Sequence, residues 1–122
     1  MRKFVASLVM AVSAGGLMAL GATPANAGHF DGNCESGEAC LYQTATFGGA
    51  VADFSSSVYD YANWSFYGTT APLNDEAGSV KNRGRFISLT VYEHANGGGR
   101  QLANLSPGSQ TSIPKQASSH YF

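Results

Sequence analysis

The 122-residue chain is poor in charge and in sulfur: Asp, Glu, Lys and Arg make up 12% of it, and it has two cysteines. Seven Lys and Arg form no basic stripe, which argues against nucleic acid or an anionic membrane as the partner. Two cysteines do not complete a structural zinc set. The three histidines, His29, His94 and His120, contain no His-x-x-x-His pair, and no Gly-x-Ser-x-Gly elbow is present. Beyond residue 27, no window carries apolar residues at the 3.6-residue period of a helix, and long Leu, Glu, Lys and Ala runs are missing. These absences exclude the familiar hydrolase and metal-enzyme arrangements. The expectation is a protein that is not an enzyme and requires no cofactor.

One long apolar run is present, and it stands at the start. Arg2 and Lys3 precede an apolar stretch from Phe4 to Leu20, and Ala25 and Ala27 then supply the small-residue pattern of a signal-peptidase site. Ser13, Gly15 and Gly16 break the run and no basic stop follows it, which disfavours a membrane anchor. Residues 1–27 are therefore expected to be a signal peptide. Residues 28–122 form one secreted, extracellular domain without a membrane partner, expected to be a monomer. That domain carries five Lys or Arg against eight Asp or Glu, a balance of −3. In an oxidising compartment, Cys34 and Cys40 read as one disulfide, worth about 2 kcal/mol for so short a ring.

The chain says one phrase twice. "LYQTATFGG" from Leu41 and "VYEHANGGG" from Val91 align Tyr42 with Tyr92, and Gly48 and Gly49 with Gly98 and Gly99. A strand-like stretch precedes each Gly pair and another follows: "ACLYQ" then "AVADF", and "ISLTVYEH" then "RQLANL". A hairpin that folds back onto its sheet needs backbone at positive φ, which Gly takes freely, and the Tyr ring is placed to cover the bend. Further on, "NDEAGS" (Asn74 to Ser79) aligns with "PKQASS" (Pro114 to Ser119), so the first copy has a connection about ten residues longer. One such unit cannot bury its own apolar face, and two packed together can. The expected fold is all-β, a sandwich of two Greek keys at about 34–83 and 85–122.

The Tyr-to-Gly spacing with its serine-ended downstream stretch resembles the β/γ-crystallin Greek-key motif. Within that superfamily the chain is most similar to the small secreted bacterial proteins named for the Streptomyces metalloproteinase inhibitor. The shared features are the export signal, a Cys before "ACLY", the Gly-Gly hairpins, the Asn-Asp-x-x-x-Ser stretch and "YEHANGGGR". The resemblance implies inhibition of a secreted metalloproteinase by a rigid loop that blocks the cleft. Inhibitors of that family carry a further disulfide, and nothing between Leu41 and Phe122 can form one here. The resemblance also implies a Ca²⁺ site. Asn74, Asp75 and Ser79 match it, whereas Gly78 replaces a hydroxyl residue and Pro114 and Lys115 replace the second Asn/Asp pair, so any affinity is expected to be low. A Ca²⁺-binding structural protein and a killer-toxin-like secreted protein are the alternative functions on similar folds.

The aromatic centre of the sequence lies in the longer first connection, "SSSVYDYANWSFYGTTAP", from Ser55 to Pro72. Alternation of Tyr59 with Tyr61 and of Trp64 with Phe66 permits a strand with inward rings, while one or two rings are expected to stay exposed for binding. Tyr59, Asp60, Tyr61 and Trp64 are the inhibitory-loop candidates, with Asp60 as a carboxylate for the protease metal.

Overall fold

A computed structural model describes residues 29–122. The expected signal peptide lies outside them. Among the described residues no helix is long and apolar enough to cross a membrane. Among the described residues, seven strands form two antiparallel sheets: β1 (Ala39–Tyr42), β2 (Val51–Phe54), β3 (Ser79–Asn82) and β6 (Gln110–Ser112) in one, β4 (Leu89–Tyr92), β5 (Gln101–Leu105) and β7 (Ser119–Tyr121) in the other. Their orders are β2-β1-β3-β6 and β5-β4-β7.

Register decides which residues meet. Leu41 pairs with Ala52 and Val80, and Ala39 with Phe54 and Asn82, so these side chains share the inner face of the first sheet. Val91 pairs with Ala103 and His120, and Leu89 with Leu105, on the inner face of the second. Period-two alternation thus puts Leu89 and Val91 in the core and turns Thr90 and Tyr92 outward. It also carries two polar residues inward, Asn82 and His120, both fully buried.

The units do not keep their strands to themselves. β6, from the second unit, pairs with β3 of the first. Val58, from the first unit, exchanges both backbone hydrogen bonds with His120 of the second. Each unit therefore lends its third segment to the other's sheet, which makes the core joint rather than two stacked faces.

The repeated phrase forms the same device in both copies. Gly49 and Gly99 take φ of 75° and 71°, and Phe47 and Gly97, also aligned, take 63° and 71°. Ser79 Oγ donates to the Thr44 carbonyl at 2.6 Å and accepts from the Phe47 N–H at 3.1 Å. Ser119 Oγ does the same with the His94 carbonyl at 2.7 Å and the Gly97 N–H at 3.1 Å. A buried serine thus latches each folded hairpin, satisfying backbone groups that the bend removes from the ladder. At the first bend Tyr42 packs edge-on to Phe47 at 6.2 Å, and at the second other rings join Tyr92. A Cβ at Gly99 would strike the His94 ring at 2.5 Å, one at Gly97 would meet Tyr121, and Tyr92 packs edge-on to Tyr121 at 5.7 Å.

Cys34 and Cys40 are joined, with Cα atoms 5.8 Å apart. Cys40 lies on β1 opposite Asp53 of β2, so the staple fixes residues 34–40 beside the first sheet.

Candidate functional site

The long connection from Ser55 to Leu73 contains no strand and is nonetheless pinned along its length. Val58 is held by His120, the Tyr61 N–H donates to the Ser118 carbonyl, and the Asn96 N–H donates to the Tyr59 carbonyl at 2.6 Å. Farther along, Tyr67 N–H reaches the Val51 carbonyl, and Phe66 and Leu73 close a small loop through Ala71 and Trp64. Tyr61 and Phe66 are fully buried and Trp64 is half-buried, edge-on to Phe54 at 4.9 Å. Tyr59 and Asp60 stay outside, with Tyr59 55% exposed. Of the four loop candidates, Tyr61 and Trp64 therefore build the loop, and Tyr59 and Asp60 present it.

Tyr61 and His120 form its keystone. The Tyr61 hydroxyl lies 2.6 Å from His120 Nδ1, and His120 Nε2 lies 2.9 Å from the Ser56 carbonyl. A carbonyl only accepts, so the imidazole proton sits on Nε2 and Nδ1 accepts from the phenol. Burial pushes the Tyr61 pKa well up and the His120 pKa down to about 4, the Ser56 carbonyl opposing the latter. Both groups are neutral in the fold. The unfolded imidazole protonates near pH 6.5, so the stability that depends on a neutral His120 is complete above that pH. It is lost as pH falls to 4, by about 3 kcal/mol. Glu38 acts in the opposite sense: burial raises its carboxyl to about 7, so it adds stability as pH falls from 7 toward 4.5. Denaturant melts of wild type and His120→Gln at several pH values separate the two. The stability gap between them should narrow by about 3 kcal/mol from pH 6.5 to 4; a constant gap would contradict the neutral pair.

Beside Tyr59 runs a groove of about 650 Å³, lined by Ser55, Tyr59, Arg85, Phe86, Ile87 and Phe122. Phe86 is 90% exposed and Ile87 58%, the two most exposed large apolar side chains among the described residues. They belong to the segment joining the two keys, which is fixed at its base by Asn82. Asn82 Nδ2 donates to the carbonyls of Ile87 (3.0 Å) and Leu105 (2.8 Å), and its Oδ1 accepts from the Gly84 N–H at 2.8 Å. Sequence reasoning missed Asn82, Phe86 and Ile87. The available signal was Phe86, an apolar residue directly before the stretch "ISLTVYEH", whose first two residues, Ile87 and Ser88, fall outside the observed strand Leu89–Tyr92.

The metal candidates are divided by the fold. Ser79 is engaged in the hairpin latch, whereas the oxygen facing Asp75 comes from the second copy, Ser118 Oγ at 3.4 Å from Asp75 Oδ1. Asn74 Nδ2 approaches Asp75 Oδ2 at 3.4 Å. The recess around them is also lined by Asp60, Glu93, His94 and Lys115.

Two Greek keys with exchanged third segments and serine-latched hairpins define a β/γ-crystallin-type domain. A solved chain from work on "evolution of the eye lens beta-gamma-crystallin domain fold" superposes with a TM-score of 0.60 at 25% identity, covering 75% of this chain and 89% of the other. A βγ-crystallin from Ciona intestinalis gives a TM-score of 0.55 at 21% identity, over 70% of this chain and 98% of that one. One from an archaeon gives 0.52 at 26%, over 71% and 98%. No curated protein sequence matches the chain. Residues 27–102 match the model of peptidase inhibitor family I36, the family of the Streptomyces metalloproteinase inhibitor, and the chain belongs to that family. Its family is one of peptidase inhibitors rather than enzymes, and its partner is accordingly a protease.

Proposed function

We propose that the protein is a secreted inhibitor of metalloproteinases and that it presents Tyr59 and Asp60, flanked by Phe86 and Ile87, to the protease cleft. The observation that carries this reading is an exposed aromatic and an exposed carboxylate on a backbone held from both sides. Val58, Tyr59 and Tyr61 are each hydrogen-bonded to the second key through the main chain. A loop already fixed in its bound shape loses little conformational entropy on docking and resists being drawn into a protease as a flexible substrate. The bracing that a second disulfide gives the family's inhibitors falls here to the Tyr61–His120 pair and the Val58 ladder. Asp60 Oδ1 accepts the Ala62 N–H at 2.9 Å, which orients the carboxylate and leaves its other oxygen for a zinc ion in the cleft. Export through residues 1–27 completes the reading.

Because Tyr61 and Trp64 are structural, the informative substitutions are at the exposed pair. Tyr59→Ala and Asp60→Ala should each raise the inhibition constant against a susceptible metalloproteinase by tenfold or more, while the lost Tyr121 contact and Ala62 hydrogen bond lower the melting temperature by only about 5 °C. Unchanged inhibition constants in both would remove this loop from the inhibitory surface.

A Ca²⁺ role at the Asp75 recess is a second reading, favoured by the Ser118 hydroxyl set against Asp75 across the two copies. The donors fit an ion in part: a carboxylate, a hydroxyl and Glu93 line the recess, but Lys115 lines it too. Ca²⁺ takes six to eight oxygens, and a neighbouring ammonium opposes it, so binding there is weak.

A further inference from the structure

A second acidic cluster lies beside β1 and β2 of the first sheet. Asp31, Glu38 and Asp53 each offer a carboxylate oxygen, and these lie within 4.8 Å of one another. Asp53 is fully buried on β2, Glu38 is 2% exposed at the entrance to β1, and Asp31 is half-buried. The chain folds around them. The Asp31 and Gly32 N–H groups donate to the two oxygens of Asp53 at 2.9 and 2.8 Å, and the Phe30 N–H donates to the Asp53 carbonyl at 2.7 Å. The Asn33 N–H donates to Asp31 Oδ1, and the Glu35 N–H to Glu38 Oε1 at 2.8 Å.

One oxygen is left out. Glu38 Oε2 is sealed from solvent and has no hydrogen-bond partner, the single such side-chain atom among the described residues. Nor does a side-chain cation reach the cluster: the ion pairs among the described residues all fall on Glu93, and Arg83 Nη1 is spent on the Cys34 carbonyl at 2.6 Å. A buried carboxyl oxygen without a partner, beside two further carboxylates, is an unsatisfied polar group at a place where negative charge would gather.

We propose that Asp31, Glu38 and Asp53 bind one hard divalent cation, Ca²⁺ by the character of the donors, which ties the N-terminal segment to the first sheet. All donors are oxygen, which selects against the metals that prefer imidazole or thiolate. Three carboxylates in one place suit Ca²⁺ better than Mg²⁺, which is usually held by one or two and keeps its waters. Oxygens sharing a Ca²⁺ ion with bonds of about 2.4 Å stand at most about 4.8 Å apart, and the three carboxylate oxygens lie within that limit. The ion would supply Glu38 Oε2 with its missing partner. It would also clamp residues 31–38, which the Cys34–Cys40 staple already holds against β1, to Asp53 on β2.

The test uses the oxidised protein freed of metal by chelation, titrated with CaCl₂ by calorimetry and melted with and without the ion. Wild type should bind Ca²⁺ and melt at least about 5 °C higher in 10 mM Ca²⁺. Glu38→Gln keeps the side-chain shape and should lose that rise and at least tenfold in affinity, while Glu76→Gln, at an exposed carboxylate outside both acidic sites, keeps both. Asp31→Asn, at the half-exposed ligand, provides the same reading should Glu38→Gln not fold. Partial losses in both Glu38→Gln and Asp75→Asn would mean two ions, one of them here. The proposal is overturned if wild type shows no rise, if the rise survives Glu38→Gln and Asp31→Asn, or if Asp75→Asn alone removes it.

Discussion

Replacing His120 by alanine lowers stability by about 4 kcal/mol and the melting temperature by about 20 °C. Two costs combine. The imidazole packs against Phe54, Tyr61 and Phe122 at centroid distances of 5.3, 5.7 and 6.2 Å, and its removal leaves a hole between rings that β7 and the Ser55–Leu73 loop hold in place. It also strands the buried Tyr61 hydroxyl without a partner and frees the carbonyl of the exposed Ser56. The second cost can be separated from the first. In the His120→Ala background, Tyr61→Phe removes the orphaned hydroxyl and should cost nothing further or recover about 1 kcal/mol, whereas alone it destabilises by about 1 kcal/mol. Strictly additive effects in the double-mutant cycle would contradict the hydrogen-bonded pair.

Asn82→Ala is expected to have nearly as large an effect, about 3 kcal/mol, because it deletes three hydrogen bonds at a fully buried site and leaves the carbonyl of Leu105 without this donor. Its consequence reaches the surface. With the ties to Gly84 and Ile87 gone, the segment bearing Phe86 and Ile87 loses its anchor, so inhibition of a susceptible protease should weaken several-fold although Asn82 touches no partner. Asn82→Asp retains the acceptor for the Gly84 N–H but sets a buried carboxyl against the Ile87 and Leu105 carbonyls; at neutral pH it should be at least as destabilising as alanine, and it should recover as pH falls and the carboxyl gains a proton. Full inhibition by Asn82→Ala under conditions where it is folded would show that the Phe86–Ile87 segment takes no part.

The repeated hairpins were legible in the sequence because their causes are local. Gly49 and Gly99 stand where the backbone needs positive φ, and the serines that end "NDEAGS" and "PKQASS" stand where each hairpin needs a latch. The exchange of third segments was not legible. Val58 makes a single bridge and β6 is three residues long, too short for any alternation to show, and their pairing is set by the joint core. His120 and Asn82 read as ordinary polar residues; only register turns them inward, and only the completed fold supplies Tyr61, Ser56, Ile87 and Leu105 as their partners. Phe86 and Ile87 show the converse, since apolar character alone suggests burial and the fold leaves both outside. The acidic cluster escaped notice because its members are 7 and 15 residues apart and meet only through the antiparallel pairing of β1 with β2.

These residues give the loop at Tyr59 and Asp60 a fixed shape, and that shape is the basis of the inhibitory reading. Its most direct test is a titration of oxidised protein, after removal of residues 1–27, against purified secreted zinc metalloproteinases, following residual activity and the integrity of the chain by mass spectrometry. The account predicts stoichiometric loss of activity for at least one enzyme, with an intact inhibitor and with Tyr59→Ala at least tenfold weaker. Undiminished activity across the enzymes, or cleavage of the chain between Ser55 and Leu73, would contradict it.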